Sequence, residues 1–214
     1  MPGLYATLAF NFTGGSLLRW YRDNLGAKEV EEAQVSGLDV YDIMIGKAAG
    51  GPSRLLVLPH FTMTGTPWFD PASKGAILGL TLATGADQIV KGILDGITYE
   101  MRLNLDRLAA AGVEVREIRA IGGGAKSRAW MQLKANIFNR PVSALNVSEA
   151  ACLGAAILAG VAVGEYRSAA EAAGALVKVV ETYEPQPAEA ARYADQFARY
   201  QRVYPALRDL LHEL

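Results

Sequence analysis

The chain has 214 residues, of which 51% are hydrophobic and 20% are charged, and its net charge is −1 at pH 7. This length allows one large domain or two small ones with a substantial core. The balance of 21 basic against 22 acidic residues argues against a nucleic-acid or anionic-membrane partner.

The single cysteine, Cys152, excludes a disulfide within the chain and is typical of a reducing cytoplasm. We expect it to be a small core residue, because it lies in an alanine-rich helical stretch. No apolar run is long enough to span a membrane, and the start of the chain lacks the features of a signal peptide. These patterns favour a cytoplasmic α/β protein.

The first predicted unit is a strand, a glycine turn and a helix. Alternating apolar residues predict the strand over 4–12, and Gly14 and Gly15 then open a helix that ends at Gly26. Residues 28–38 fit a loop or a short helix, and residues 39–45 fit either a helix or a strand.

The next segment contains the longest predicted helix. The apolar residues 55–58 predict a strand buried on both faces, residues 59–71 an irregular loop, and residues 75–82 another strand. Residues 87–111 form a helix, for which we expect one apolar stripe. The stripe consists of Ile89, Ile93, Ile97, Met101, Leu105 and Leu108.

A second glycine turn follows, and the rest of the chain is organised around it. Residues 118–121 predict a buried strand, Gly122 to Ser127 a turn, and the residues after Ser127 a helix. Glycines let a ligand approach the backbone closely, and the first turn of a helix offers free N–H donors and a partial positive charge. The turn therefore predicts a mononucleotide or phosphate site, although glycines chosen only for tight packing give the same pattern.

The remaining residues continue the alternation of strands and helices. Residues 141–145 predict a strand, and 148–161 an alanine-rich helix that approaches a neighbour closely at Gly154, with Glu149 favoured by the helix dipole. Ser168 and Glu171 fit a capping box. Residues 187–214 predict one long helix that docks on the domain's own core through an aromatic and leucine seam.

Together these stretches resemble the C-terminal domain of the FGGY carbohydrate kinases, the xylulokinase-like members above all. The similar stretches are Gly14 to Trp20, Thr64 to Pro71 with Lys74-Gly75 and Gly79-Leu80, Gly122 to Ser127, Trp130 to Ile137, Arg140 to Val142, Glu149 to Gly160 and the closing helix. The resemblance implies an α/β fold of the actin-like ATPase (ribonuclease H-like) class, with a mixed sheet flanked by helices. It also implies that residues 1–214 are a single nucleotide-binding domain.

The resemblance further implies that ATP, with Mg²⁺, is the nucleotide ligand. The positions that match nucleotide contacts of the family are Gly15, Arg19, Gly122, Gly123, Gly124, Ala125 and Ser127. Two residues depart from the family's pattern: Arg19 stands where glycerol-kinase-like members often have Gln, and Asn136 replaces a common Asp.

The family's N-terminal domain, with the sugar pocket and the catalytic base, has no counterpart in these residues. None of Asp39, Asp42, Asp70 and Asp95 matches the base, so we assign no catalytic or metal-binding residue. We expect the intact protein to transfer the γ-phosphate of ATP to a sugar or polyol, and this piece alone to be inactive. We also expect an uncovered apolar face and self-association, hence a possible homo-oligomer.

Two other classes remain open. A non-catalytic module that binds nucleotide or a partner is favoured by the lack of a catalytic carboxylate. A redox dinucleotide-binding domain is suggested by the second glycine turn. It is disfavoured because Ser127 replaces the third glycine and no acidic residue follows about twenty residues later.

Overall fold

The structure is a computed structural model that describes residues 5–48 and 50–214. The chain divides into two compact units. Unit 1 comprises Met1–Val115 with Ala188–Leu214, and unit 2 comprises Arg116–Pro187. The helices are α1 (Gly15–Asn24), α2 (Ala27–Ser36), α3 (Val40–Lys47), α4 (Ala86–Ala110), α5 (Arg128–Phe138), α6 (Ala150–Ala162), α7 (Ala169–Leu176), α8 (Pro187–Tyr200) and α9 (Val203–Glu213). The strands are β1 (Leu56–Leu58), β2 (Ala76–Leu78), β3 (Ile118–Ala120), β4 (Val142–Leu145) and β5 (Val179–Tyr183).

Unit 1 is built around α4, which packs against β1, α1 and α3. β1 pairs antiparallel with β2, with Leu56 opposite Leu78. A Cβ on Gly96 would lie 2.2 Å from the Val57 carbonyl oxygen, so this glycine allows α4 to lie directly on the backbone of β1. The single apolar stripe predicted for this helix is wrong: Met101 is 38% exposed, whereas Lys91 and Asp95 are buried. A helix covered from several sides buries residues all around its middle turns.

The C-terminal segment forms two helices, α8 and α9, instead of the one long helix that its seam predicts. Pro205 explains the break, because proline has no N–H to donate to the carbonyl group of residue 201. Both helices nevertheless bury most of the seam within unit 1, and only its last residue, Leu214, is exposed. The Tyr200 hydroxyl donates to Glu100 of α4 at 2.6 Å, and the Tyr204 hydroxyl donates to Asp70 at 2.6 Å.

Unit 2 contains a mixed sheet in the order β3-β4-β5. β3 pairs parallel with β4, and β4 pairs antiparallel with β5. α5 packs on β4 and β5. Asn136 of α5 holds the C-terminal end of unit 2 through Gln186. Its Oδ1 accepts from the Gln186 backbone N–H at 2.8 Å, and its Nδ2 donates to Gln186 Oε1 at 3.3 Å. An aspartate could accept the first bond but could not donate the second.

Several predicted elements differ from those observed. Residues 5–12 form no strand, and Leu4 lies outside the described residues. Phe10 instead exchanges hydrogen bonds with Thr66, whose hydroxyl accepts from the Phe10 N–H at 3.2 Å and whose N–H donates to the Phe10 carbonyl at 3.0 Å. Both ambiguous segments, 28–38 and 39–45, lie largely in helices, α2 and α3. β5 was not predicted, although its Val-Val-Glu-Thr-Tyr sequence has high β-propensity.

α6 is the most apolar helix of unit 2, yet Ile157 is its only buried residue. Leu158 is 65% exposed, and Val163, just beyond the end of the helix, is 82% exposed. Cys152 is exposed as well, so the prediction that it is a core residue is wrong. The sequence indicates a helix suited to burial, but within unit 2 it packs on α7 and leaves Cys152 and Leu158 exposed. Among the described residues, no helix has the length and hydropathy needed to cross a membrane.

Candidate functional site

The second glycine turn joins β3 to α5 in unit 2. After Ala120, the chain passes through Gly122 into a short 3-10 turn over Gly123–Ala125. The Ala125 N–H donates to the Gly122 carbonyl at 3.0 Å, and the Lys126 N–H donates to the Gly123 carbonyl at 3.1 Å. A helical turn leaves its first N–H groups without partners inside it, so this segment can offer backbone donors to an anion.

The three glycines of the turn meet three different requirements. Gly122 has a φ of 81°, which side chains with a Cβ rarely adopt. A Cβ on Gly124 would lie 3.0 Å from Cζ3 of Trp130, so a side chain at this position would press on the Trp130 ring. A Cβ on Gly123 would have nothing within 4 Å, and the residue is exposed. Open space therefore borders the backbone at Gly123, as it also does at Gly122.

Polar side chains follow this turn at the start of α5. The Ser127 hydroxyl caps the helix by accepting from the Trp130 N–H at 3.4 Å, and it keeps its own proton free to donate. Lys126 is exposed, and its ammonium group makes no ion pair in the part of the chain that the structure describes. Ala125 is half-buried and adds no polar group beyond its backbone.

A buried lysine lies behind the turn. Lys134 is 6% exposed, and its Nζ donates to the Gly124 carbonyl at 3.0 Å. The same nitrogen lies 4.6 Å from the centre of the Trp130 ring, in cation–π geometry. Burial lowers the pKa of Lys134 to about 8. Sequence reasoning missed this residue, although a lysine four positions after Trp130 on the buried face of α5 is a detectable signal.

The first glycine turn opens α1 in unit 1. Neither Gly14 nor Gly15 has an atom within 4 Å of a Cβ built on it. Arg19 lies one helical turn further on, is exposed, and has no hydrogen-bond or ion-pair partner among the described residues. Of the seven predicted contact residues, Gly15 and Arg19 thus belong to this turn, and the other five belong to the second.

Three of the four aspartates to which the sequence assigns no catalytic role have structural partners. Asp39 caps α3 by accepting from the Tyr41 N–H at 2.8 Å. Asp95 is buried beside Lys91 and accepts from the Ser53 N–H at 2.8 Å. Asp70 accepts from Tyr204, and its Oδ2 lies 2.6 Å from His212 Nε2.

The described residues contain no group of three or more His, Cys, Asp or Glu side chains placed to hold a metal ion. Kinase sites commonly hold Mg²⁺ through one or two carboxylates together with nucleotide phosphates and water, an arrangement that does not need such a group.

Solved kinases share this architecture. The gluconate kinase from Lactobacillus acidophilus superimposes with a TM-score of 0.76 and 27% sequence identity, over 91% of this chain and 38% of that one. This likeness and the mixed sheet with its helices define an actin-like ATPase fold, which confirms the predicted fold class.

The particular family follows from the sequence. Residues 1–163 match the FGGY family of carbohydrate kinases, C-terminal domain, and the chain belongs to this family. It is 28% identical to the xylulose kinase of Staphylococcus epidermidis over 214 residues, and 33% identical to the glycerol kinase of Psychromonas ingrahamii over 199 residues. These matches cover 100% and 92% of this chain, but only 42% and 36% of the two relatives. The chain thus spans less than half the length of the curated relatives it matches.

Proposed function

We propose that this chain is the ATP-binding half of an ATP-dependent carbohydrate kinase. The observation that carries the proposal is the second glycine turn, where open space borders Gly123 and a helix start follows. Backbone N–H groups and the helix dipole at such a turn favour phosphate groups. The exposed cation Lys126 adds to this preference.

The proposed nucleotide contacts are those that the family resemblance implies. In the second turn they are Gly122, Gly123, Gly124, Ala125 and Ser127. The exposed Gly15 and Arg19 are proposed contacts in the first turn, and the free guanidinium of Arg19 supports its assignment. Mg²⁺ would bind with the nucleotide, because this ion keeps several waters and is held largely through substrate phosphates.

In the intact protein, we propose, the γ-phosphate of ATP is transferred to a hydroxyl group of a sugar or polyol. The relatives named xylulose kinase and glycerol kinase support this acceptor class. Phosphoryl transfer needs a residue that accepts the hydroxyl proton, and Asp39, Asp70 and Asp95 are engaged in structural hydrogen bonds. Because none of the four aspartates considered above matches the family's catalytic base, we propose that the chain by itself is inactive. Turnover of ATP with xylulose or glycerol by this chain alone would overturn that part of the proposal.

A non-catalytic role in binding nucleotide or a partner is the second candidate. It is favoured by the exposed apolar surface of α6, because exposed apolar patches are typical of protein–protein interfaces. In either role we place the chain in the cytoplasm, where its single thiol would stay reduced.

Calorimetric titration with Mg-ATP tests the nucleotide site. We expect Gly123→Val to abolish binding, because a branched side chain would fill the space next to the turn while meeting no atom of the chain. The matched control is Gly174→Val, since Gly174 in α7 also has open space around its Cβ position. Unchanged ATP binding by Gly123→Val, or no binding by the original chain, would contradict the proposal. Preference for NADH over ATP would point to the redox class instead.

A further inference from the structure

We infer that Lys134 is a positioning residue of the second glycine turn, and that its protonation is coupled to the binding of nucleotide phosphate there. The inference rests on the proposed function. It assigns a task to a buried side chain that none of the predicted contacts includes.

The geometry places Lys134 behind the turn. Side chains of an α-helix lean towards its N-terminus, so Lys134 reaches back over Trp130 to the Gly124 carbonyl, 3.0 Å from its Nζ. Because the peptide unit is planar, holding this carbonyl also fixes the N–H of Ala125. Glycines are conformationally free, and within the turn only the Ala125 and Lys126 N–H groups donate hydrogen bonds that the structure shows among the described residues. The bond from Lys134 adds a side-chain restraint that holds the turn in one arrangement before a ligand arrives.

The charge of Lys134 has no carboxylate partner among the described residues, and burial is the cause of its lowered pKa. α5 packs against the 3-10 turn, β4 and β5. The titratable and charged groups of these elements are Lys126 beside the turn, Arg128 in α5, and Glu181 and Tyr183 in β5. Glu181 is engaged by Arg128 at 3.3 Å and by the Tyr183 hydroxyl at 2.5 Å. The buried ammonium is thus balanced only by a carbonyl dipole and an aromatic face.

An anion bound at the turn would compensate this charge. Bound phosphate would then raise the pKa of Lys134, which lies at about 8 without it. Because linkage is reciprocal, protonated Lys134 must favour phosphate binding by the same factor. ATP affinity should consequently fall as the pH rises through this pKa.

The test is calorimetric titration of the chain with Mg-ATP at pH 7 and pH 9, in buffers of different ionisation enthalpy. For the original chain we expect a roughly tenfold weaker affinity at pH 9 and proton uptake on binding at pH 8. Lys134→Arg keeps the positive charge at pH 7 and at pH 9, so the affinity of this variant for Mg-ATP should be the same at both. Lys134→Met has no charge and should bind Mg-ATP weakly at both pH values. A role in packing alone would not produce this difference between the two variants.

A second measurement reads Lys134 directly. In the chain labelled with ¹³Cε-lysine, the Lys134 signal, identified by its loss in Lys134→Arg, should titrate near pH 8 and move to higher pH with Mg-ATP. If Mg-ATP binds and this midpoint does not move, the coupling is overturned and the proposed function stands. If the original chain binds no Mg-ATP at any pH, the inference and the proposed function both fall.

Discussion

The buried charge of Lys134 lowers the free energy of unfolding, while its hydrogen bond holds the second glycine turn in place. Its pKa of about 8 lies below the ordinary lysine value of 10.5. Below pH 8, folded and unfolded chains both carry the proton, and the cost of burying the charge is present in full. Between pH 8 and 10.5 the unfolded chain holds more protons, so the free energy of unfolding rises with pH.

We therefore predict that Lys134→Met stabilises the chain at neutral pH. The difference of about 2.5 between the two pKa values, at about 1.4 kcal/mol per unit, gives about 3 kcal/mol as an upper value. Loss of the bond to the Gly124 carbonyl subtracts about 1 kcal/mol. Urea unfolding at pH 7 and pH 10 measures the effect, and an equal advantage for the variant at both pH values would contradict it.

At the scale of elements, Asp70 joins the loop before β2 to the C-terminal helix α9. Burial alone would raise its pKa, but hydrogen bonds from Tyr204, His212 and the Ala72 N–H lower it to about 2. Because this value lies below the unfolded 3.8, the stabilisation is complete above about pH 4 and is lost as the pH falls towards 2.

We predict that Asp70→Asn loosens α9. The free energy of unfolding at pH 7 should fall by about 2 kcal/mol, since hydrogen bonds to a charged acceptor are lost. Below pH 3 the free energies of unfolding of the variant and the original chain should become more alike, because Asp70 itself becomes protonated. Asp209→Asn is the matched control on α9, because Asp209 pairs only with its exposed neighbour Arg208. Equal destabilisation by the two variants would show that Asp70 has no special role.

Elements marked by local chemistry could be predicted from the sequence. The glycines fix the start and end of the second turn, and β3 and α5 lie within a residue or two of their predicted bounds. The break between α8 and α9 was missed because the apolar seam continues across Pro205. Lys134 was missed because its spacing from Trp130, although visible in the sequence, does not show that the ammonium group bonds to a backbone carbonyl.

Burial was harder to predict than element type. The apolar sequence of α6 predicts a covered helix, but whether a neighbour covers it depends on the rest of the molecule. α4 shows the opposite case: its sequence suggests one stripe, and contacts on several sides bury Lys91 and Asp95 as well. A periodic pattern identifies a helix, whereas its environment depends on contacts distant in sequence.

For the whole molecule, the exposed surface of α6 predicts self-association. Leu158→Glu should shift the chain towards monomer in sedimentation velocity without lowering its melting temperature, because Leu158 is 65% exposed. Leu210→Glu is the matched control, since Leu210 is 56% exposed on α9. A monomeric original chain at high concentration, or an equal effect of both variants, would contradict the prediction.

Unit 1 is interrupted in sequence by the whole of unit 2, and this arrangement bears on synthesis. On the ribosome, Tyr99 and Glu100 of α4 emerge long before Phe197 and Tyr200, the residues that cover them. At typical translation rates, this interval is on the order of ten seconds. Unit 2 can complete its folding during that time. In unit 1, by contrast, this part of α4 stays uncovered until the C-terminal helices have been synthesised. A premature stop before residue 188 would therefore release a chain whose central helix is a target for chaperones and proteases.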